Sequence, residues 1–370
     1  MTVNRREFIK KTGILGIGSL VFTLLPSQAA YFYKGTNRWI WMHPDLTLTD
    51  DAWLNRFTEL KNHGINKVLF MVYGSHKAYY KNPQLPVEED IMKQVIPLAA
   101  KAGIELHGWM WTMPNNNPDY ARDHPDWFVV NREGQPAHTH PAYVGYYKFM
   151  CPNHPEVRDF LHKNVSFLAS LEGLAGVHLD YIRMPDVILA EALQPKYNIV
   201  QDKEYPAYDY CYCTNCRRRF RELTGKDPLI DLPDPTSDKE WRQFRFDSVT
   251  SLVNEVLAPA IHTAGKTASA AVFPNYESVR QEWMRWELDA FFPMLYHNFY
   301  NADIHWIEKQ IRRFRKAVPE SKQIYAGLFI PALTPEELEI VEKQCHGAGA
   351  AGVSLFDFNA MTNAHWDVLH

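Results

Sequence analysis

The sequence lacks an excess of positive charge: 39 lysines and arginines stand against 43 aspartates and glutamates, a formal net charge of -4 at pH 7. Nucleic acid is therefore not an expected partner, because a basic surface is needed to neutralise phosphates. Cysteine is scarce, at five in 370 residues, which excludes a small disulfide scaffold. No Gly-x-Gly-x-x-Gly pattern follows the first strand-like run, so no organic cofactor is expected. The hydrophobic content of 46% is typical of a globular chain with a large core.

The first 29 residues have the pattern of a bacterial export signal. Arg5 and Arg6 begin a charged segment, an apolar run over residues 13–25 follows, and small residues suited to cleavage come next. The apolar run is shorter than the roughly 20 residues that a spanning helix needs, so no stable membrane anchor is expected. Paired arginines are typical of the twin-arginine route. We therefore expect export to the periplasm or beyond, with residues 30–370 as one catalytic domain.

The rest of the chain alternates short apolar runs with longer amphipathic segments, which predicts βα units and a parallel sheet. The predicted strands cover residues 38–43, 67–73, 105–112, 176–182, 268–273, 290–297, 323–329 and 352–358. The predicted helices cover residues 51–62, 88–102, 154–170, 241–263, 278–287, 303–316 and 335–346. Eight strands in one chain predict an α/β fold of a single (β/α)₈ TIM barrel. Long loops after strands 3 and 4, roughly residues 114–152 and 183–239, are expected to build the active site.

Four of the five cysteines are candidates for a metal site. Cys211, Cys213 and Cys216 lie within six residues, so they cannot all pair with one another. Thiolates at this spacing can converge on one tetrahedral zinc ion, with Cys151 as the fourth ligand. The alternative is disulfides formed in an oxidising compartment. Cys345 lies on a predicted helix and is expected to be a buried apolar residue.

Two stretches that contain these cysteines, residues 147–155 and 211–220, resemble the family 42 β-galactosidases. That resemblance implies a (β/α)₈ barrel with a structural Cys₄ zinc site. It ends at strand 4, where that family has an Asn-Glu pair and this chain reads Gly176-Val177-His178-Leu179-Asp180.

A second resemblance covers most of residues 38–360. The motifs at residues 124–127, 155–158, 176–185 and 288–296 are similar to those of the family-10-like glycoside hydrolases. This resemblance implies a barrel that acts on an oligo- or polysaccharide.

Carboxylates at strand ends are the candidate catalytic groups, because a barrel enzyme places its working residues there and glycoside cleavage normally needs two of them. Asp180 ends strand 4 and is the first candidate; its alternative role is to bond Arg183 or a sugar hydroxyl. Glu277, after strand 5, is the first candidate for the partner, or else it caps the following helix. Asp357, after strand 8, is the other candidate.

The other strand ends carry aromatic and polar side chains suited to stacking on and hydrogen bonding a sugar. The predicted substrate-binding residues are Trp41, His43, Tyr73, His107, Trp109, Trp111, His178, Arg183, Tyr296, His297 and Asn298. For His178 the alternatives are orientation of Asp180 and a place in the core.

Two other functions remain open. One is a metal-dependent hydrolase on the same barrel, although the only close histidine pair, His138 and His140, lies in a loop. The other is a glycan-binding barrel without catalysis, which would keep the aromatic residues but would not need two positioned carboxylates. Substitution of Asp180 separates binding from turnover.

Overall fold

The computed structural model describes residues 37–369. The predicted export signal, residues 1–29, lies outside this range. Eight parallel strands form a closed barrel in chain order, with β1 paired to both β2 and β8, which confirms the predicted fold class. The strands are β1 (Asn37–Met42), β2 (Ile65–Tyr73), β3 (Glu105–Trp111), β4 (Gly176–Asp180), β5 (Thr267–Val272), β6 (Ala290–Pro293), β7 (Gln323–Phe329) and β8 (Gly352–Phe356).

Helices cover the outside of this barrel. They are α1 (Asp50–Asn62), α2 (Met92–Lys101), α3 (Pro118–Asp123), α4 (Pro155–Ala169), α5 (Thr214–Thr224), α6 (Lys239–Leu252), α7 (Ala258–Thr263), α8 (His305–Ala317), α9 (Pro335–Gly347) and α10 (Asn363–Asp367). A π-helical turn, Val253–Leu257, joins α6 to α7 into the one long helix that the sequence predicted. Over residues 37–369, no helix is both long and apolar enough to cross a membrane.

The alternation of residues along the strands produces two apolar layers. In β1, Trp39 and Trp41 point into the barrel, where they pack with residues such as Phe292. Ile40 and Met42 point outward and pack against the helices. Because most positions on both faces of the strands are buried, the strands are mostly apolar on both faces, as is typical of parallel sheets.

A buried ion pair joins the first strand to the last long helix. The Arg38 guanidinium donates to both carboxylate oxygens of Glu342 in α9, at 2.6 and 2.9 Å. It also donates to the carbonyl oxygen of Leu369 at 2.9 Å. The two ends of the described chain are therefore held together at the closure of the barrel.

The crossover from β5 to β6 differs from the prediction. The helix predicted over residues 278–287 is absent there, and two 3₁₀ turns, Tyr276–Val279 and Trp283–Arg285, take its place. Arg280 has φ +51°, and the Gln281 side chain accepts from the backbone N–H of Phe273 and donates to the Ile182 carbonyl. These side-chain bonds hold the segment in an irregular path.

The connections after β3 and β4 are long, as predicted. The first runs through α3 to α4, and the second carries two 3₁₀ helices, Glu191–Tyr197 and Pro206–Tyr208, before α5 and α6. Both follow the carboxyl ends of their strands, so they stand on the face where barrel enzymes place their active sites.

Candidate active site

Asp180 is the last residue of β4 and is buried at the floor of the open end of the barrel. Its Oδ2 accepts the indole N–H of Trp109 at 3.0 Å, and its Oδ1 accepts the backbone N–H of Tyr181 at 2.7 Å. Tyr181 has φ +50°, so the chain turns sharply directly after the carboxylate. These bonds hold the Asp180 carboxylate in a fixed orientation.

The environment of Asp180 disfavours its charge. Burial raises the pKa of Asp180 to about 6, and the two donated hydrogen bonds and the nearby Arg183 charge oppose the rise. A carboxyl group with such a pKa is partly protonated near neutral pH, so it can donate a proton or accept one.

Arg183 forms part of the wall beside this carboxylate. Its guanidinium is buried, donates to Asp186 Oδ2 at 2.9 Å and to the Tyr147 hydroxyl at 3.1 Å. Its charge centre lies 4.5 Å from the ring centroid of Phe273 and 5.1 Å from that of Tyr181. Arg183 therefore joins the loop after β3, through Tyr147, to the loop after β4, and the Asp186 carboxylate neutralises its charge.

A second carboxylate, Asp357, follows β8 on the same face. Its Oδ2 lies 3.8 Å from Nε2 of His43, whose ring packs 5.0 Å from the ring of Trp109. Burial lowers the pKa of His43, and the charge of Asp357 opposes that change. Burial raises the pKa of Tyr296 well above its ordinary value, and the charges of Asp180 and Asp357 both add to the rise. The charges of both carboxylates therefore act on the same phenol.

Asp180, Arg183, His43 and Tyr296 line a central cavity of about 380 Å³, whereas Asp357 is not one of its lining residues. Most of its wall is aromatic, and its acidic side chains are Asp180 and Asp186. Apolar faces with a few polar groups among them are typical of a sugar site. The lining residues are His43, Trp109, Trp111, Tyr143, Tyr146, Tyr147, Asp180, Tyr181, Arg183, Asp186, Leu189, Ala190, Leu193, Lys196, Tyr197, Phe273, Met294, Tyr296, Phe299, Tyr300, Phe329 and Phe356.

Several predicted substrate-binding residues lie one layer below this cavity. Trp41, His107 and His178 are buried in the barrel interior, each on the same strand face as a cavity residue nearer the strand end. The rings of Trp41 and His178 lie 4.6 Å apart, and His178 Nδ1 is 2.9 Å from the Ser269 hydroxyl. These three residues therefore do not line the cavity. The prediction placed them there because strand alternation gives the face on which a side chain lies but not its depth in the barrel.

The remaining three predicted substrate residues are also outside the cavity. An irregularity in the β2–β3 register falls between Met71 and Tyr73 and turns the buried Tyr73 ring outward, into the layer of helices. His297 and Asn298 lie past the end of β6, in a 3₁₀ helix, and neither lines the cavity. Strand 6 was predicted too long: β6 ends at Pro293, and an isolated bridge between Met294 and Gly327 continues its pairing by one residue.

The structure does not bring Glu277 to Asp180. Glu277 is exposed on the 3₁₀ turn after β5, five residues past the strand end, and lines a different cleft with Lys203 and Arg280. The irregular path of this crossover carries its side chain away from the central cavity. Of the two proposed partner carboxylates, Asp357 is the one whose charge acts on Tyr296 together with that of Asp180.

Aromatic residues from the long loops also line the cavity, and the sequence patterns did not predict them. Tyr143, Tyr146 and Tyr147 from the β3 loop and Tyr197 and Tyr300 from later loops all line the cavity. Their signal was the density of tyrosine in loops that follow strand ends, whereas the prediction considered strand ends alone.

The four clustered cysteines come together as predicted. The sulfur atoms of Cys151, Cys211, Cys213 and Cys216 are buried and all lie within 4.8 Å of one another. Cys151 Sγ is 3.5 Å from Cys216 Sγ and 3.6 Å from Cys213 Sγ. A tetrahedral zinc ion with Zn–S bonds of about 2.3 Å places its sulfurs about 3.8 Å apart, so the donor set fits zinc.

All five cysteines are free thiols, and Cys345 is buried among apolar residues as expected. Asn153 Nδ2 lies 3.3 Å from Cys216 Sγ and donates to it. Of the arginines that follow Cys216, Arg217 pairs with Asp227, and Arg218 pairs with Glu222.

Comparison with known proteins agrees with the fold. The sequence family described as "Glycosyl hydrolase-like 10" matches residues 55–330. The glycoside hydrolase domain of PgaB (BpsB) from Bordetella bronchiseptica superposes with a TM-score of 0.66 at 13% identity, over 90% of this chain and 99% of that one. A comparison with curated protein sequences finds no match.

Two β-galactosidases have the same fold, with TM-scores and sequence identities close to those of the Bordetella domain. The enzyme of the haloarchaeon Halorubrum lacusprofundi gives a TM-score of 0.64 at 11% identity, over 90% of this chain and 57% of its own. A GH42 β-galactosidase from G. stearothermophilus gives 0.60 at 12% identity, over 90% of this chain and 55% of its own.

Proposed function

Because the chain belongs to the glycosyl hydrolase-like 10 family, we propose that it is an exported glycosidase that cleaves O-glycosidic bonds of an oligo- or polysaccharide. The observation that carries this proposal is the buried Asp180 at the floor of an aromatic cavity, with its pKa raised to about 6. The paired arginines near the N-terminus support the export.

We assign Asp180 the acid–base role. In its protonated form it gives its proton to the glycosidic oxygen as the bond to the anomeric carbon breaks. Trp109 and the Tyr181 backbone N–H then stabilise the carboxylate that remains, since both already donate to it. The aromatic wall binds the apolar faces of the sugar rings and excludes water from the site.

Asp357 is assigned the second role, either attacking the anomeric carbon or activating a water molecule. It is half-buried, and its charge acts on Tyr296 as that of Asp180 does. His43, 3.8 Å from this carboxylate, is held neutral by burial and lines the cavity, where it is placed to hydrogen bond a sugar hydroxyl. The anomeric configuration of the first product, read by NMR, distinguishes the two roles.

The four-cysteine cluster is proposed to hold a structural zinc ion. Four thiolate ligands close the coordination shell, so the metal would fix the loops and would take no part in the reaction. Over residues 37–369 this cluster is the one group of three or more metal-ligating side chains, and none of its members lines the central cavity. The metal-dependent hydrolase alternative therefore has no supporting observation.

The test is glycan release by the purified chain from a panel of plant, host and bacterial polysaccharides, beside Asp180→Asn. We expect release by the wild type and none above background by the variant. Asp159→Asn, an exposed carboxylate change on α4, is the matched control and should keep full activity. Release that survives Asp180→Asn would reject the assignment. Binding without release by either chain would favour the glycan-binding barrel.

A further inference from the structure

A second cleft lies directly beside the central cavity. It has a volume of about 400 Å³ and shares Tyr143 and Tyr197 with the central cavity. The ring centroids of these two tyrosines are 5.9 Å apart. They therefore form a ridge with the catalytic cavity on one side and this cleft on the other.

The ridge is rigid. The Tyr143 ring stacks on Tyr208 with centroids 4.5 Å apart and ring planes within 4° of parallel. The Tyr143 hydroxyl donates to the Asp186 carbonyl at 2.8 Å and accepts from the Gln201 amide at 2.9 Å. Tyr143 also has φ +59°, so its backbone is held by these contacts and not by its own preference. A site with such a fixed aromatic edge needs no ordering before a ligand binds.

The cleft presents unused polar groups around this edge. Asn131 Nδ2 donates to Gln135 Oε1 at 3.0 Å, and Asn131 Oδ1 accepts the Gln135 backbone N–H at 2.8 Å. The Gln135 side chain is thereby oriented while its Nε2 donor has no protein partner among residues 37–369. His140 uses Nδ1 on the neighbouring threonine hydroxyl at 3.0 Å, which leaves Nε2 for a ligand. The hydroxyls of Tyr197 and Tyr208 likewise have no partner in the described part of the chain.

The chemistry of the lining indicates the kind of ligand. The cleft is lined by Asn131, Gln135, His140, Pro141, Ala142, Tyr143, Tyr197, Ile199, Ala207 and Tyr208. This set contains aromatic rings, amides, hydroxyls and an imidazole, but no carboxylate, lysine or arginine. Such a surface suits the hydroxyls and C–H faces of uncharged sugars.

We propose that this cleft is a distal subsite, which binds further uncharged sugars of the same glycan chain that is cleaved at Asp180. The chain would cross the Tyr143–Tyr197 ridge, so that sugars on both sides are bound at once. The inference rests on the proposed function and adds the substrate class to it: an uncharged oligosaccharide longer than the central cavity holds.

The test measures binding of chitin- and cellulose-derived oligosaccharides of graded length, from a disaccharide upward, to the full chain carrying Asp180→Asn. Gln135→Met and His140→Ala are added singly in that background, and His162→Ala, an exposed histidine on α4, is the matched control. We expect affinity for at least one series to rise with length. Each cleft variant should lose about two- to tenfold on the long members only, as expected for one hydrogen bond. The control should not change.

The outcomes separate this proposal from the proposed function. Affinity that does not depend on length, or a gain with length that both cleft variants keep, would overturn the distal subsite while glycan release still supports the glycosidase. Equal losses on short and long members would also overturn it, because the residues would then act at the central cavity. An absence of binding at every length in both series would overturn the commitment to uncharged sugars, whatever the release panel shows.

Discussion

The hydrogen bond from Trp109 to Asp180 makes a quantitative prediction about the pH dependence of catalysis. Trp109→Phe keeps an aromatic ring but removes the N–H that donates to Asp180 Oδ2 at 3.0 Å. A hydrogen bond to a charged group contributes about 1.5–3 kcal/mol. One pKa unit corresponds to about 1.4 kcal/mol, so the loss should raise the pKa of Asp180 by about one to two units.

The direction of the pH dependence of kcat/KM follows from the role assigned to Asp180. Asp180 acts as an acid only when it is protonated, so kcat/KM should fall as the pH rises through its pKa in the free enzyme. In the wild type this alkaline limb should lie near the pKa of about 6. In Trp109→Phe the limb should move to higher pH, even if the absolute rate is lower because the cavity wall has changed.

Trp111→Phe is a matched control on the same strand. Trp111 also lines the cavity, but its indole N–H is buried and has no hydrogen-bond partner within the described residues. The control should therefore alter KM and leave the alkaline limb in place. An unchanged limb in Trp109→Phe, or an equal movement in both variants, would refute the argument that this N–H stabilises the Asp180 carboxylate.

Three further predictions concern stability. Cys216→Ser should abolish stoichiometric zinc binding, measured by mass spectrometry of the metal, and lower the melting temperature, whereas Cys345→Ser should keep the metal; equal zinc content in both would reject the site. The buried His178 has a pKa well below 6.5 in the folded chain, so its contribution to stability is present above pH 6.5. That contribution should be lost as the pH falls, by up to about 1.4 kcal/mol per unit, and a His178→Asn variant whose free energy of unfolding changes between pH 7.5 and 5.5 as the wild type's does would contradict this. Glu342→Ala leaves the buried arginine of β1 unpaired and should cost about 3–5 kcal/mol. Glu339→Ala, on the exposed face of the same helix, should cost less than about 1 kcal/mol, and equal denaturation midpoints would refute the difference.

The barrel could be predicted because its signal repeats. Most strands are largely apolar on both faces, and most connections are amphipathic. An error in the bounds of one βα unit therefore does not change the number of strands that the sequence predicts. The crossover from β5 to β6 shows the limit, since side-chain bonds of Gln281 to backbone groups of other segments decide its path. Bonds between segments that are distant in the sequence leave no local periodicity.

The candidate site was predicted in part for the same reason. Asp180, Trp109 and His43 follow from strand ends and alternation. His107 and His178 were placed at the right face but the wrong depth, because depth depends on how the strands tilt around the barrel. The loop tyrosines depend on how two long loops fold over the barrel, which a single sequence does not specify.

The cysteine cluster has a consequence for the order in which this protein fails on heating. Cys151 ends the loop that carries Tyr143, and Cys216 follows the loop that carries Tyr197, so the sulfur atoms join the two walls of the cavity. The strand backbones, in contrast, pair with their neighbours around the closed barrel and not with the cysteine-bearing loops. Opening of the loops is therefore a local event with a free energy of its own, separate from global unfolding. Thermal inactivation should precede the loss of secondary structure, and the interval between the two should widen when a chelator is present.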